Sequence, residues 1–253
     1  MSRAANRVVD ILSVLYHKDE LSLTEITSIL NIPKTSVYDI LSALEKRGIV
    51  ERANPKLKTY RLGMELFKLG QRALSRVGIV DAARPELERL AAASGETAYL
   101  AIESGDSILY LDKVESTRPV APTHNIGDTN SLYATALGKA LLASRTDDEV
   151  RQKLDGVMEP ITDNTIVSVD ELIEDMAATR KRGYAIDDRE SCDFMVCVAA
   201  PVLDASGSAI AAISVAMINY QKCDIEDIAF NVVKSARSIS KKQGFFGDAL
   251  YGA

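Results

Sequence analysis

The sequence predicts an α+β protein built from two modules. Helical periodicity dominates residues 6–48, whereas helices and strand-like runs are interleaved from residue 82 onward, an order that favours an α+β sheet domain over a doubly wound one. Charge divides in the same way: residues 1–72 carry a balance of +4 and the remaining residues one of −10. At 253 residues and 47% hydrophobic, the chain has enough material for a buried core.

Three helices are predicted in the first module. Apolar residues recur at helical spacing over residues 6–16, and Ser22 and Glu25 have the spacing of a capping box that begins a second, short helix. Pro33 suits the first position of a third helix, which Gly48 ends. Two helices joined by about three residues, the second opened by small polar and basic side chains, have the geometry of a helix-turn-helix.

A hairpin is predicted after the third helix. Residues 49–52 and 59–62 have the composition of short strands, and the tip between them, residues 54–58, carries two lysines. This pattern is typical of a wing beside a helix-turn-helix. A further helix continues from residue 64 to about residue 78. We therefore expect a winged helix-turn-helix over residues 1–63, a linker helix over 64–79 and a second domain over 80–253.

Polar and basic side chains on the third helix and the hairpin are candidate contacts to double-stranded DNA. Lysine can meet a guanine edge or a phosphate, hydroxyl groups can donate to phosphates or bases, and a helix N-terminus favours an anion. A solvated surface is the alternative for each, and the capped helix before them and the basic hairpin after them favour DNA. The candidates are Lys34, Thr35, Ser36, Tyr38, Arg52, Lys56 and Lys58.

The second module is predicted to mix strands and helices. Strands are expected at 97–102, 107–114, 196–203 and 209–217, and helices at 82–93, 135–143, 147–154, 169–182 and 225–242. Gly105 and residues 205–208 lie where hairpins should turn. The segment Asp187-Asp188-Arg189-Glu190 is most simply interpreted as a polar turn.

The sequence argues against several functional classes. No apolar run approaches the roughly 20 residues that a bilayer requires, and none resembles a signal peptide, so we expect a cytoplasmic protein. Three cysteines are an odd number for a disulfide framework, and the two histidines lie far from them, so neither a metal site nor a cofactor is expected. No nucleophile motif or phosphate-binding glycine loop is present. We predict that the protein is not an enzyme.

Motifs in both modules resemble those of one family. Residues 5–72, through the motifs at 32–38 and 60–63, resemble the winged helix-turn-helix of the IclR family of bacterial transcription regulators. Segments 133–140, 182–185 and 197–202 resemble that family's effector domain, in the same order. The resemblance implies a GAF-like (profilin-like) effector domain, a homodimer or dimer of dimers, palindromic operator DNA, and control of genes for small-molecule catabolism.

The resemblance also implies a pocket for a small effector, such as a carboxylate or sugar acid. In this sequence Phe194 stands where the family usually has glycine, and Ala216 where some members have a second hydroxyl group. From the residues alone, Ser214 and Cys197 equally suit a packed sheet interior, and Asp187 equally suits a turn cap. The implied effector contacts are Thr135, Ala136, Leu137, Asp187, Phe194, Cys197 and Ser214.

Two other functional classes stay open at this point. A thiol-dependent GAF-like enzyme would use Cys192 and Cys197, although their spacing does not fit CxxC chemistry and a buried Cys197 would be inert. A purely structural interaction protein would require that the basic winged segment bind no duplex. Thiol accessibility and DNA binding separate these alternatives from a regulator.

Overall fold

The computed structural model describes residues 3–54, 57–74, 78–121, 124–218, 224–248 and 250–251, without the side chains of residues 71–74. The chain divides into two compact units, Met1–Val77 and Gly78–Ala253. The finer limits 1–63, 64–79 and 80–253 stay a prediction. No helix in the described part of the chain is long and apolar enough to cross a membrane.

The first unit is a three-helix bundle with a small sheet and a fourth helix. Its elements are α1 (Arg3–His17), β1 (Leu21–Ser22), α2 (Leu23–Leu30), α3 (Lys34–Glu45), β2 (Val50–Asn54), β3 (Thr59–Leu62) and α4 (Met64–Leu74). The three strands are antiparallel in the order β1-β3-β2. The strand β1 was not predicted from the sequence, because it is only two residues long.

Local signals explain how the helix-turn-helix is formed. The Ser22 hydroxyl accepts from the Glu25 amide at 3.3 Å and the Glu25 carboxylate accepts from the Ser22 amide at 2.7 Å, which confirms the capping box. Asn31 ends α2 in the left-handed region, with φ of 50°. Pro33 occupies the N-cap position with an extended backbone, so α3 begins at Lys34, one residue later than predicted.

The core of the first unit joins all three helices to the wing. The buried core side chains come from the three helices, the turn between α2 and α3, and all three strands: Ile11, Leu15, Leu21, Ile26, Ile32, Val37, Leu41, Leu44, Val50 and Tyr60. Gly63, directly after the wing, passes so close to Gly48 that a Cβ atom would lie 2.2 Å from the Gly48 carbonyl oxygen. This contact fixes the wing beside the end of α3.

The second unit is built on one antiparallel sheet. Its strands are β4 (Thr97–Ser104), β5 (Ser107–Val114), β6 (Thr129–Ser131), β7 (Ala185–Asp188), β8 (Val196–Leu203) and β9 (Ala209–Met217), in the order β6-β5-β4-β9-β8-β7. Its helices are α5 (Ile79–Ser94), α6 (Ala136–Leu142), α7 (Asp147–Leu154), α8 (Val169–Arg182) and α9 (Ile225–Lys242).

Helices cover both faces of this sheet. On one face Cys197 and Ala199 of β8 share a core with α6, α7 and α8. Because successive strand residues point to opposite faces, Val198 and Ala200 face the other side, where α5 and α9 pack against each other and against the sheet. This α+β arrangement agrees with the fold class that the sequence predicts.

The main departures from the sequence prediction concern short strands and the connection near residue 78. β6 was not expected, and β7 replaces part of the predicted polar turn at residues 187–190. The helix predicted from residue 64 to about 78 is present over Met64–Leu74, and residues 75–77 lie outside the described chain. Gly78, with φ of 57°, then begins α5, which starts three residues earlier than predicted.

A close backbone approach fixes α6 against the segment before it. A Cβ atom on Gly138 would lie 2.0 Å from the Leu132 carbonyl oxygen, and both residues are in the core. Backbone atoms cannot move aside as the end of a flexible side chain can. Position 138 therefore requires glycine even though it lies in a helix.

We expect Gly138→Ala to destabilise the second unit by about 1–3 kcal/mol, because the added methyl group overpacks backbone against backbone. Gly70→Ala is the matched control: Gly70 is also helical, a Cβ atom there would meet nothing within 4 Å, and alanine should stabilise α4 by about 0.5–1 kcal/mol. Urea denaturation of both variants measures the difference. Equal effects would contradict a steric origin.

Candidate functional site

The first unit has a hollow between its helix-turn-helix and its wing. The hollow has a volume of about 430 Å³ and is lined by Ser22, Leu23, Thr24, Lys34, Tyr38, Arg52, Leu57, Lys58 and Tyr60. Lys34, Tyr38 and Lys58 are exposed. The fold thus brings the start of α3, the start of α2 and the wing around one basic, solvent-facing surface.

Several candidate DNA contacts are held in place by neighbours. The Arg52 guanidinium donates to Glu45 at 2.9 Å and lies 5.6 Å from the centroid of the Tyr60 ring. The contact with Glu45 raises the pKa of Arg52. Arg7 of α1 donates to the Ser36 hydroxyl at 3.0 Å, which leaves the Ser36 proton available to an external acceptor. These contacts orient side chains before any partner arrives.

The structure brings together part of the set predicted from sequence. Lys34, Tyr38, Arg52 and Lys58 line the hollow, whereas Thr35 and Ser36 lie beside it on α3 without lining it. Lys56 lies outside the described residues. Ser22, Thr24 and Tyr60 were not predicted, since they have no distinctive motif and join this surface only through the fold.

The second unit contains a small, largely enclosed cavity between its sheet and α6. Its volume is about 10 Å³, which is room for about one water molecule. The lining residues come from β4, β5, β7, β8, β9, the start of α6 and two connecting segments: Tyr99, Tyr110, His124, Thr135, Ala136, Leu137, Asp187, Ser191, Met195, Cys197, Ser214 and Ala216.

The N-terminus of α6 forms one wall. The Thr135 hydroxyl caps the helix by accepting from the Gly138 amide at 3.1 Å and donates to the Ser131 carbonyl at 2.7 Å. The amides of Ala136 and Leu137, at the first two helical positions, have no carbonyl partner within the helix. Because Ala136 and Leu137 also line the cavity, their amides are candidate donors to a ligand.

A buried carboxylate on β7 forms a second wall of the cavity. Asp187 accepts from the amides of Glu190 and Ser191 at 2.8 and 3.2 Å, and from the Ser191 hydroxyl at 2.5 Å. Burial raises the pKa of Asp187, while these hydrogen bonds oppose that shift. Asp187 therefore caps the turn after β7 and also lines the cavity.

Three rings, none of them predicted from the sequence, form a further wall. Tyr110 and His124 are stacked, with ring centroids 4.9 Å apart and an interplanar angle of 9°, and Tyr99 lies 5.1 Å from Tyr110. Burial lowers the pKa of His124, which favours its neutral form at neutral pH. The aromatic strand positions were visible in the sequence, but their convergence on one cavity depends on long-range pairing.

A buried lysine connects the walls of the cavity. Lys139 of α6 is 1% exposed and its ammonium group contacts Glu190 at 2.6 Å, Asp175 at 2.9 Å and the Ile186 carbonyl oxygen at 3.1 Å. Burial raises the pKa of Glu190, and the Lys139 charge opposes this shift. One ammonium group thus ties α6 to α8, to β7 and to the turn that Asp187 caps.

The cavity contains six of the seven expected effector residues. Phe194 is the exception: its side chain is 62% exposed and does not line the cavity, and the neighbouring Met195 lines it instead. The turn after β7 thus directs residue 195 rather than residue 194 toward the cavity. Ala216 does line the cavity.

The cysteines do not form a reactive pair in this arrangement. Cys197 is buried in the sheet, and burial raises its pKa well above the usual range, which disfavours the thiolate. Cys192 is partly buried and unpaired with another cysteine in the described chain, while Cys223 lies outside the described residues. No group of three metal-binding side chains is present in the described part.

A winged helix-turn-helix joined to a domain with an enclosed cavity lined by both polar and apolar side chains defines a class of protein: a DNA-binding regulator that senses a small molecule. Residues 71–241 match the family described as bacterial transcriptional regulator IclR C-terminal, and residues 9–62 match the family described as sugar-specific transcriptional regulator TrmB. The chain belongs to the IclR family of bacterial transcriptional regulators. Its homologues are regulators, and it is not an enzyme.

Individual relatives cover nearly the whole chain. The HTH-type transcriptional regulator BhcR of Paracoccus denitrificans is 35% identical over 241 residues, covering 94% of this chain and 86% of that protein. The crystal structure of the Thermotoga maritima IclR is similar with a TM-score of 0.77 at 30% identity, covering 96% and 98% of the two chains. An IclR homologue from Microbacterium hydrocarbonoxydans, complexed with 4-hydroxybenzoate, shares the fold at 20% identity, with a TM-score of 0.85 and coverage of 95% and 98%.

We expect Lys139→Met to destabilise the second unit by about 3–5 kcal/mol, because it leaves the buried Glu190 carboxylate without its ammonium partner, while the half-buried Asp175 keeps its contact with Arg182. The double variant Lys139→Met with Glu190→Gln should lose less than the sum of its single changes, as coupled partners do. Urea denaturation measures all three variants. Lys181→Met, an exposed lysine on α8, is the control and should change stability by no more than about 0.5 kcal/mol.

Proposed function

We propose that α3 and the wing bind an inverted-repeat operator, and that the cavity of the second unit holds a small hydroxylated carboxylate such as a sugar acid. The observation that carries the proposal is the convergence of two separate sets of predicted residues, one around the basic hollow and one around the cavity of the second unit. The protein would act in the cytoplasm, where bacterial operators lie.

The basic hollow supports a role for α3 in the major groove. Lys34 and Thr35 lie on the exposed first turn, where a recognition helix contacts base edges, and Tyr38 follows one turn later. Lys58 lies on the wing, where it suits the phosphate backbone, as Lys56 would. Arg52 is bound to Glu45 and stacked on Tyr60, so its role is to position the wing as much as to contact a phosphate.

This mode of DNA binding requires a second copy of the chain. One winged helix contacts few base pairs, so useful specificity requires two half-sites and a two-fold arrangement of chains. A homodimer provides that arrangement, and a dimer of dimers would engage two such sites. The operator should therefore be palindromic.

We expect Lys34→Ala to lower affinity for a specific inverted-repeat duplex by about 1–3 kcal/mol, because it removes a base-directed contact. Lys58→Ala should instead weaken all duplexes alike and reduce the slope of log K against log salt by about 0.9, the value of one phosphate contact. Gel shifts at several salt concentrations distinguish the two. Lys181→Ala on α8 is the control, and binding that is sequence-blind in the parent chain would contradict the proposal.

The cavity chemistry favours a hydroxylated ligand over a bare anion. No lysine or arginine is among the residues that line it in the described chain, so a carboxylate would be received by neutral donors: the first amides of α6 and the Ser214 hydroxyl. Asp187 would repel a carboxylate placed against it but can accept from a ligand hydroxyl group. A sugar acid supplies both groups.

Effector binding in this proposal requires a wall to move. A cavity of about 10 Å³ is too small for any metabolite, so a ligand must displace at least one lining segment. The turn at residues 189–195 is held from both sides, by Asp187 and by the Thr162 and Thr165 hydroxyl groups, which donate to the Arg189 and Glu190 carbonyl oxygens at 2.7 Å. Displacement of this turn would therefore break specific hydrogen bonds, which links binding to a conformational change.

We expect a thermal-shift screen of hydroxy acids and sugar acids to find a ligand that raises the melting temperature of the parent chain by mass action. Ser214→Ala should weaken that ligand by about 0.5–1.5 kcal/mol, because one hydrogen bond is lost. Ser104→Ala, at an exposed position at the end of β4 and outside the cavity, is the matched control and should bind like the parent. Equal binding by Ser214→Ala would move the effector site elsewhere without affecting the DNA-binding prediction.

A further inference from the structure

The cavity of the second unit has a negative charge in its wall but no permanent positive one. Among the lining residues that the structure describes, Asp187 is a carboxylate, and neither lysine nor arginine is present. The first amides of α6 and the Ser214 hydroxyl are neutral donors. Because an ion taken out of water is costly unless an opposite charge compensates it, a ligand carboxylate in this cavity needs a counter-charge.

His124 is the lining side chain that can supply this charge. An imidazole becomes a cation when it binds a proton, and its ordinary pKa lies close to neutral pH. Tyr99, Tyr110 and Cys197 line the same cavity and can also titrate. Burial raises the pKa of Tyr99 to about 12, and it raises the pKa values of Tyr110 and Cys197 above their ordinary values as well. These three groups therefore stay neutral at physiological pH.

Backbone hydrogen bonds hold the segment that carries His124 against β5. The Gly127 amide donates to the Tyr110 carbonyl at 2.9 Å, and the Tyr110 amide donates to the Asp128 carbonyl at 3.0 Å. The His124 ring stacks on the Tyr110 ring at an interplanar angle of 9°. Stacking occupies a face of the imidazole, whereas hydrogen bonds of its nitrogens lie in the ring plane. Because an aromatic face attracts a cation, this contact also suits the protonated ring.

Charged groups near His124 act in both directions on its protonation. Asp128, which accepts from the Asn125 amide at 2.7 Å, favours the protonated ring, and Lys113 of β5 opposes it. From β7, Asp187 adds a negative charge to the same cavity. Burial outweighs these charges and lowers the pKa of His124. The ring is therefore mostly neutral at neutral pH until another negative charge comes close to it.

We propose that His124 takes up a proton when the cavity binds a hydroxy acid, and that the resulting imidazolium is the counter-charge of the ligand carboxylate. This inference rests on the proposed function of the cavity. The proton comes from solvent and adds to the unprotonated ring nitrogen, so the ring gains one positive charge and no bond of the ligand changes. The hydroxyl groups of the ligand then remain for Asp187.

Asp187 is a poorer acceptor for this proton. Its Oδ1 atom accepts from the Glu190 and Ser191 amides, and its Oδ2 atom accepts from the Ser191 hydroxyl. A proton on either oxygen would displace donors that hold the turn after β7, and a hydrogen bond lost in a buried place is costly. A proton on His124 instead adds a donor that a carboxylate can use.

Histidine NMR of the full-length chain tests this proposal, because the chain has two histidines and His17 lies in the first unit as an internal reference. The ring Hε1 signals, assigned with His124→Gln, are followed from about pH 5 to pH 8 in the free chain and with glycolate, lactate or gluconate, which stay ionised over this range. A bound acid should raise the pKa of His124 by about 1 or more, as a nearby opposite charge does. The pKa of His17 should not change.

The pH dependence of affinity is the second measurement. A ligand that raises the pKa of His124 binds more tightly as the pH falls through the pKa of the complex, and a rise of about 1 gives up to about tenfold tighter binding. Calorimetry of the three acids at about pH 8 and pH 5.5 measures this gain. His124→Gln cannot take up a proton and should bind with nearly equal affinity at both pH values. His17→Gln is the matched control and should keep the pH dependence of the parent.

The outcomes separate this inference from the proposed function. If an acid binds while the pKa of His124 stays unchanged, the inference is overturned and the proposed function stands. A pH dependence that survives in His124→Gln would assign the proton to Asp187 and overturn it too. Gluconamide, the uncharged analogue of gluconate, should leave the pKa of His124 unchanged, and an equal rise would contradict a counter-charge. If none of the three acids binds at either pH, the proposed function fails and the inference fails with it.

Discussion

The buried ammonium group of Lys139 is the contact on which the architecture of the cavity in the second unit depends. A charge removed from water costs several kcal/mol unless partners compensate it, and Lys139 has two carboxylates and a carbonyl oxygen within 3.1 Å. Those partners belong to α8, β7 and the turn that follows β7. Because Lys139 also lies on α6, whose N-terminus forms one wall, one side chain fixes the relative positions of three cavity walls.

Gly138, which precedes Lys139, also fixes the position of α6. Gly138 allows α6 to approach the Leu132 backbone, and the Thr135 hydroxyl caps the helix through the Gly138 amide. A larger residue at position 138 would move the helix, and the Lys139 ammonium group would leave its carboxylates. The sequence Thr135-Ala136-Leu137-Gly138-Lys139 thus combines a cap, two donors, a close contact and a buried cation in about one and a half turns.

The structural features that the sequence predicts most accurately are those that depend on residues close together in the chain. The capping box at Ser22 and Glu25, and the strands at 107–114, 196–203 and 209–217, follow from residues close together in the chain, and the structure has them at the predicted positions. β7 was missed because its charged residues Asp187 and Asp188 resemble a turn, and only pairing with β8 makes it a strand. Its neighbour β6 is three residues long and carries no β-branched or aromatic run.

The candidate sites were predictable only where one segment supplies several contacts. Thr135, Ala136 and Leu137 are consecutive, whereas Tyr99, Tyr110 and His124 meet through strand pairing that no short window of sequence contains. Lys139 was overlooked as a contact because a lysine on a predicted helix is most simply solvated. Phe194 was expected at the cavity, but Met195 lines it instead. Which of these two neighbours points inward depends on the conformation of the turn, which Asp187 holds through its hydrogen bonds to the Glu190 and Ser191 amides.

The two faces of β8 and β9 give the second unit a route between its cavity and its outer helices. Cys197 and Ser214 line the cavity, while their neighbours Val198 and Val215 point to the opposite face of the sheet, against which α5 and α9 pack. Protein interiors are close-packed, so the displacement of one side chain is transmitted to its neighbours. A ligand that enlarges a cavity of about 10 Å³ must shift lining residues, and any shift of these two strands is felt by the helices packed against their other face.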